Sequence, residues 1–192
     1  MARARVTAAL VGLVSAACSS TVTLSDPPVE RARPTAFQRP LRVAVNGISG
    51  DACFRREVDE YLAGSEVLQA SSPDVSPDLV LSGDLRRIEV HSNRGDKEVA
   101  ILYLSAFVVT APLALKLYLV QDWRADAAAE GTLVAADPRG RRVWSLALTV
   151  FIIETQRTLP SHNALNTAMK AAVCRKLATT LLNALAAEQA GH

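Results

Sequence analysis

Asp137-Pro-Arg-Gly-Arg-Arg-Val-Trp-Ser-Leu-Ala-Leu-Thr-Val-Phe-Ile-Ile153 is the stretch that decides the fold. Proline at the second and glycine at the fourth place of Asp137–Gly140 fit a type I turn. After the turn the chain alternates with a period of two. Trp144, Leu146, Leu148, Val150 and Ile152 share one face, opposite Ser145, Ala147, Thr149 and Phe151. Such alternation is the mark of a strand with one face on a core. Ala128 to Ala136 supplies the first arm and Arg141 to Ile153 the second, so a β-hairpin is predicted.

Outward from the hairpin, the remaining elements fall into place. Leu41 to Gly47 alternates and ends at Gly47 and Gly50, reading as a strand and turn. Asp51 is placed to cap a helix over Ala52 to Ala63, in which Phe54, Val58, Tyr61 and Leu62 recur at helical spacing and Gly64 is the stop. Glu66 to Ala70 reads as a short strand, Ser71 to Pro77 as a loop, and Leu79 to Ser92 as a longer strand whose phase slips near Gly83-Asp84, in the manner of a β-bulge. Asn163 to Ala187 predicts a closing helix with Val173, Cys174, Leu177, Leu181, Ala184 and Leu185 on one arc. This order predicts an α/β (α+β) fold: a mixed β-sheet with two helices packed on one face, plus an apolar, helical-hairpin-like insertion.

At 192 residues and 49% hydrophobic, the chain is long and apolar enough to bury a core. The formal charge of +2 rests on Arg3 and Arg5. Removing these two from the 21 basic residues leaves 19 against 19 acidic, so nothing electrostatic points to nucleic acid. Both arginines sit in a basic n-region before the apolar run Val6 to Val14, which is too short to span a bilayer and reads as a Sec-type signal peptide.

Val14-Ser15-Ala16-Ala17-Cys18 follows, and it resembles the lipobox of bacterial lipoproteins. That resemblance implies cleavage after residue 17, a diacylglycerol on the Cys18 sulfur, and an N-acyl group. An ordinary small-residue cleavage site with an incidental cysteine is the other reading. With two or three acyl chains, each buried CH₂ contributing about 0.8 kcal/mol, the anchor holds the chain on a bilayer. Serine at 19 and 20, with no aspartate after Cys18, points by resemblance to the periplasmic face of the outer membrane. Residues 18–40, with Pro27, Pro28 and Pro34, read as an extended, flexible, lipidated tether; 41–187 form the domain and 188–192 a tail. No cofactor is expected beyond these covalent lipids.

Cys53 and Cys174 form an even remainder in a compartment that permits disulfides, and both fall on predicted helices. They are expected to pair; two buried thiols are the alternative.

Val99 to Val120, residues 99–120, carries a single charge, Lys116, with Pro112 near its middle. Three readings stand side by side. The segment packs on the sheet face left bare by the helices, or it lies in a membrane interface or against a partner, or it spans a membrane, which would make the inner membrane its address. On the second reading Leu102, Tyr103, Phe107, Leu115, Tyr118 and Trp123 make the contact, the rings of Tyr103, Tyr118 and Trp123 serving as interfacial anchors.

Arg42-Val-Ala-Val45, Asp78-Leu-Val-Leu-Ser-Gly-Asp84, Gly131-Thr-Leu133, Asp137–Gly140 and Val143-Trp144 resemble a small periplasmic domain of outer-membrane lipoproteins. Similar domains occur at the amino terminus of TolB-like proteins, in curli-secretion lipoproteins, and in lipoprotein activators of penicillin-binding proteins. The resemblance covers residues 41–187 without the insertion, and it implies binding of other proteins and no catalysis.

Catalytic and metal motifs give no stronger signal. His91 and Glu89 share a strand face, but His91, His162 and His192 have no neighbours at ligand spacing, so no metal site is expected. Gly47-Ile-Ser-Gly50 lacks the spacing of a nucleophile elbow. Arg139, Arg141 and Arg142 crowd a hairpin turn. The chain therefore reads as a non-enzymatic, membrane-anchored lipoprotein, an accessory or adaptor in a cell-envelope assembly with an envelope protein as partner and no nucleic acid. The alternative is a carrier of a lipid or other hydrophobic ligand.

Overall fold

A computed structural model describes residues 22, 24–34, 39–72, 74–93, 112, 123–156 and 162–190. The elements are β1 (Leu41–Ser49), α1 (Ala52–Ala63), β2 (Leu68–Ala70), β3 (Leu79–Ser92), β4 (Trp123–Ala136), β5 (Arg142–Gln156) and α2 (His162–Ala190). One five-stranded sheet has the order β2-β1-β3-β4-β5. β1 is parallel to both β2 and β3, pairing Leu41 with Leu68 and Val43 with Leu79. From β3 onward the sense reverses. The Asn93 N–H bonds the Arg124 carbonyl at the end of β3, while Gly83 lies against Thr132, so β4 runs antiparallel to β3. The tight 137–141 turn returns β5 beside it. This is the mixed sheet expected from the order of elements.

The chain divides into two compact units. The larger comprises Pro27–Glu89, Ala127–Ile152 and Lys170–His192. In it α1 and α2 lie on one face of the sheet. Phe54 of α1 approaches Gly83, and Leu177 of α2 lies over Gly131, where a Cβ would come within 2.9 Å of the Leu177 side chain. Small residues make that approach possible: Ala127, Ala129, Gly131 and Ala135 form a low stripe along β4 beneath the helix, interrupted by Leu133. On α2 the buried positions Val173, Leu177, Leu181 and Leu185 form one four-residue row, and Cys174, Ala178, Leu182 and Ala186 form the next. Ala184, expected on the buried arc, is only half-buried.

α1 begins and ends where Asp51 and Gly64 place it. The Asp51 carboxylate accepts from the Cys53 N–H at 3.1 Å, an N-cap bond, and the Gly64 N–H returns to the Tyr61 carbonyl. The bulge differs from expectation. Between Val45 and Ile48 of β1 the register advances three residues while β3 advances two, from Leu81 to Gly83. The extra residue therefore sits in β1, beside Gly47, whose φ of 149° suits glycine. The burial phase of β3 does slip, but at Arg86 and Arg87, which are both exposed.

The smaller unit comprises Met1–Asp26, Val90–Asp126 and Ile153–Met169. Its described core is Trp123, Ala125, Leu165 and Met169. β4 thus starts five residues before the Ala128 expected, because the Trp123 ring and the Ala125 methyl extend the buried face.

Candidate functional site

In the larger unit, Cys53 and Cys174 form a disulfide across 121 residues of sequence, with Cα atoms 6.0 Å apart. It joins the first turn of α1 to the middle of α2, as the pairing expectation required. One turn further along α1, Glu57 is 4% exposed, a buried charge that burial alone would disfavour. Two guanidinium groups satisfy it: Arg175 Nε at 3.1 Å and Arg56 at 3.0 Å. Beside them Lys170 of α2 pairs with Asp51, so cap, ion pairs and disulfide tie α1 to α2 along one line. The Lys170 hydrogen bond and then the Cys53 N–H hold the Asp51 carboxyl below its ordinary value.

At the other end of α1, Asn183 of α2 organises a second cluster. Its Oδ1 accepts from the Tyr61 hydroxyl at 2.7 Å and from the Ala32 N–H at 2.8 Å, while its Nδ2 donates to the Glu30 carbonyl at 2.7 Å. Arg31 lies over the Tyr61 ring, 5.6 Å from its centre, and donates to the Glu60 carbonyl. Burial pushes the Tyr61 phenol up. The stretch expected as a flexible tether is thus extended, with no helix or strand over 24–34, yet at Glu30–Ala32 it is seated on both helices. In the smaller unit Ser25 is seated too: its N–H and hydroxyl both donate to the Glu154 carboxylate, which is 2% exposed.

The sequence reading did not single out Glu57, Glu154 or Asn183 for these roles. A signal was present for two of them. Glu154 continues the alternation of Ile152 inward, and Glu57 lies beside Phe54, Val58 and Tyr61 on the apolar stripe of α1, so each was legible as a charge on a buried face. Nothing local marks the hydrogen bonds of Asn183.

The other predicted positions fare differently. Cys18, Leu102, Tyr103, Phe107, Leu115 and Tyr118 lie outside the described residues, as does the insertion apart from Pro112. Trp123 is described, and it corrects the expectation of an interfacial ring: at 2% exposure it belongs to the core. At the hairpin, the Asp137 carboxylate gathers the N–H groups of Arg139 and Arg141 and the Arg141 side chain, which orders the turn. Gly47, Ile48 and Ser49 belong to β1, paired with β3, so the turn expected over Gly47–Gly50 begins only at Gly50, whose φ is 93°.

The open face of the sheet in the larger unit carries Arg87, Glu89, Ala128, Glu130, Thr149 and Phe151 around a shallow depression of about 140 Å³. A larger groove of about 490 Å³ runs between α1 and β1, with Val43, Val45, Leu62 and Val75 in its wall and Arg55 and Asp59 at its rim. Among the described residues, no group of three or more His, Cys, Asp or Glu is placed to hold a metal, and no helix is long and apolar enough to cross a membrane. What these groups can do is hold: ion pairs, hydrogen bonds and one covalent bond converge on the contact between two helices.

No protein-family profile and no curated protein matches the chain. Several solved structures do. A minor lipoprotein from Acinetobacter baumannii is 10% identical, covering 79% of this chain and 95% of its own, with a TM-score of 0.46. The rare lipoprotein B from Shewanella oneidensis is 12% identical, covering 78% and 97%, with a TM-score of 0.41. The chain shares its fold with a Xanthomonas campestris protein of the DUF330 family, at a TM-score of 0.50 and 14% identity over 85% of this chain and 96% of that one.

Proposed function

We propose that this protein is a non-enzymatic lipoprotein of the bacterial cell envelope, anchored through lipid on Cys18, with its α/β domain acting as an adaptor in an envelope assembly. The observation that carries the reading is the Cys53–Cys174 disulfide, a crosslink at home outside the reducing cytosol and in accord with the leader before Cys18. Ser19 and Ser20 favour the outer membrane, periplasmic face. Similar folds in proteins described as lipoproteins fit the same picture, and the resemblance to the TolB, curli-secretion and penicillin-binding-protein-activator domains favours binding of a protein. Leu102, Tyr103, Phe107, Leu115 and Tyr118 are the proposed contacts for membrane or partner.

Expression in a Gram-negative host fed an alkyne palmitate tests the anchor. The wild-type chain should take up label and fractionate with outer membranes, and Cys18→Ala should lose both. Labelling that survives Cys18→Ala would overturn it. Photo-crosslinkers at Tyr103, Phe107 and Tyr118 test the adaptor, which requires protein adducts; lipid adducts alone would remove the partner from this segment.

A further inference from the structure

Among the described residues, β5 closes the sheet as an edge strand of 15 residues. Natural edges are blunted by charge, proline or shortness. From Val143 to Ile153 this one has no charged residue, no proline and no glycine, and Val143, Phe151 and Ile153 are 43%, 64% and 57% exposed. Lys176 of α2 donates to the Phe151 carbonyl at 3.1 Å. A side chain reaching that carbonyl from beyond the ladder means that the odd-numbered positions of β5 turn their N–H and C=O groups outward.

We propose that β5 pairs with β5 of a second copy of this chain, antiparallel about a two-fold axis at Leu148, joining two sheets into one. The occupant follows from the order of residues along the edge. In this register Val143 faces Ile153, Trp144 faces Ile152, Leu146 faces Val150, and Leu148 faces itself, so apolar positions meet apolar positions on either side of the axis. At both ends Arg142 of one copy faces Glu154 of the other. Glu154 is buried on neutral donors, the Ser25 N–H and hydroxyl, and Arg142 is exposed, so the pairing brings a cation to that carboxylate. The outward odd positions 143 to 153 pair with one another and satisfy the edge. Phe151 keeps its Lys176 bond, because a carbonyl oxygen accepts a second one. Such an interface is isologous and closes at two.

The test is a Leu148→Cys substitution in the otherwise native chain, oxidised in intact cells and read on a non-reducing gel. Opposed residues at a non-hydrogen-bonded antiparallel position have Cα atoms about 4.5 Å apart, within disulfide reach. A product at twice the chain mass, absent from the wild type, is expected. Adding Thr149→Pro removes an outward N–H for which no partner is found among the described residues, a change edge strands tolerate, and should abolish the product. Sedimentation of the detergent-extracted wild-type chain supplies an independent reading: a dimer is expected, and a monomer with Thr149→Pro. A monomeric wild type, a crosslink that survives Thr149→Pro, or a product of any other mass would overturn the pairing.

Discussion

The two faces of the sheet in the larger unit are built on opposite terms. Under the helices lie Leu79, Leu81, Leu85, Ala129 and Leu133, all buried, and the layers above are joined by a disulfide and by the Glu57–Arg175 and Asp51–Lys170 pairs. The other face carries Arg87, Glu89, Glu130, Thr149 and Phe151, which share a shallow depression. The same strands supply both faces, alternating residue by residue, so the contrast isolates what a covering layer contributes. Stability is concentrated where side chains interdigitate and charges are satisfied. The other face is left to solvent.

The largest expected effect on the covered face comes from removing the staple. Cys53→Ser with Cys174→Ser should lower unfolding free energy by about 3–5 kcal/mol, given a closed loop of roughly 120 residues, measured by urea denaturation under non-reducing conditions. A loss below about 1 kcal/mol would show that packing alone sets the helix contact. Next, Leu177→Ala empties the space over Gly131 and should cost about 2–5 kcal/mol in the same measurement. A cost no larger than that of an exposed substitution would break the distinction between the faces.

A smaller effect is expected at the cap of α1. Asp51→Ala should cost about 1 kcal/mol through the lost N-cap bond. Asp51→Asn keeps a capping oxygen and removes the charge facing Lys170. Because the folded Asp51 carboxyl titrates below its unfolded value near 3.8, its contribution is complete above that pH and disappears as pH falls through the folded value. Acid titration of wild type against Asp51→Asn should therefore show curves that separate above about pH 4 and converge below it, by no more than ~0.5 kcal/mol for so exposed a group. Curves that stay parallel would remove the Lys170 pair from the account.

The smallest effect has the opposite sign. Thr132 sits on β4 with its hydroxyl buried and without a hydrogen-bond partner among the described residues. Thr132→Val removes the desolvated hydroxyl and should raise stability by about 0.5–1 kcal/mol, checked by thermal melting. A lower melting temperature would reveal a partner for that hydroxyl and sharpen what the strand needs there.

Much of the architecture was legible in local pattern. The helix of Ala52–Ala63 has its limits where Asp51 and Gly64 stand, because capping is a matter of neighbouring residues. The alternation of β5 runs through Glu154 because a pleated strand turns each residue to the opposite side. Pairing of Cys53 with Cys174 is favoured by an even count in a compartment that permits disulfides, with two buried thiols as the alternative, and the structure has the two joined.

By itself, then, the order of residues determined the element types and most of the buried stripes and favoured the covalent partner, since each depends on spacing within a turn, along a strand or on the count of thiols. Tertiary structure alone decided the rest. Which three-residue step of β1 absorbs the bulge depends on the register with β3; that Trp123 is core depends on β4 extending beneath a buried face. That Glu30–Ala32 is seated rests on an amide at Asn183, some 150 residues away in sequence. Hydrogen-bond partners so distant leave no period in the chain, and only folding brings them within reach of one another.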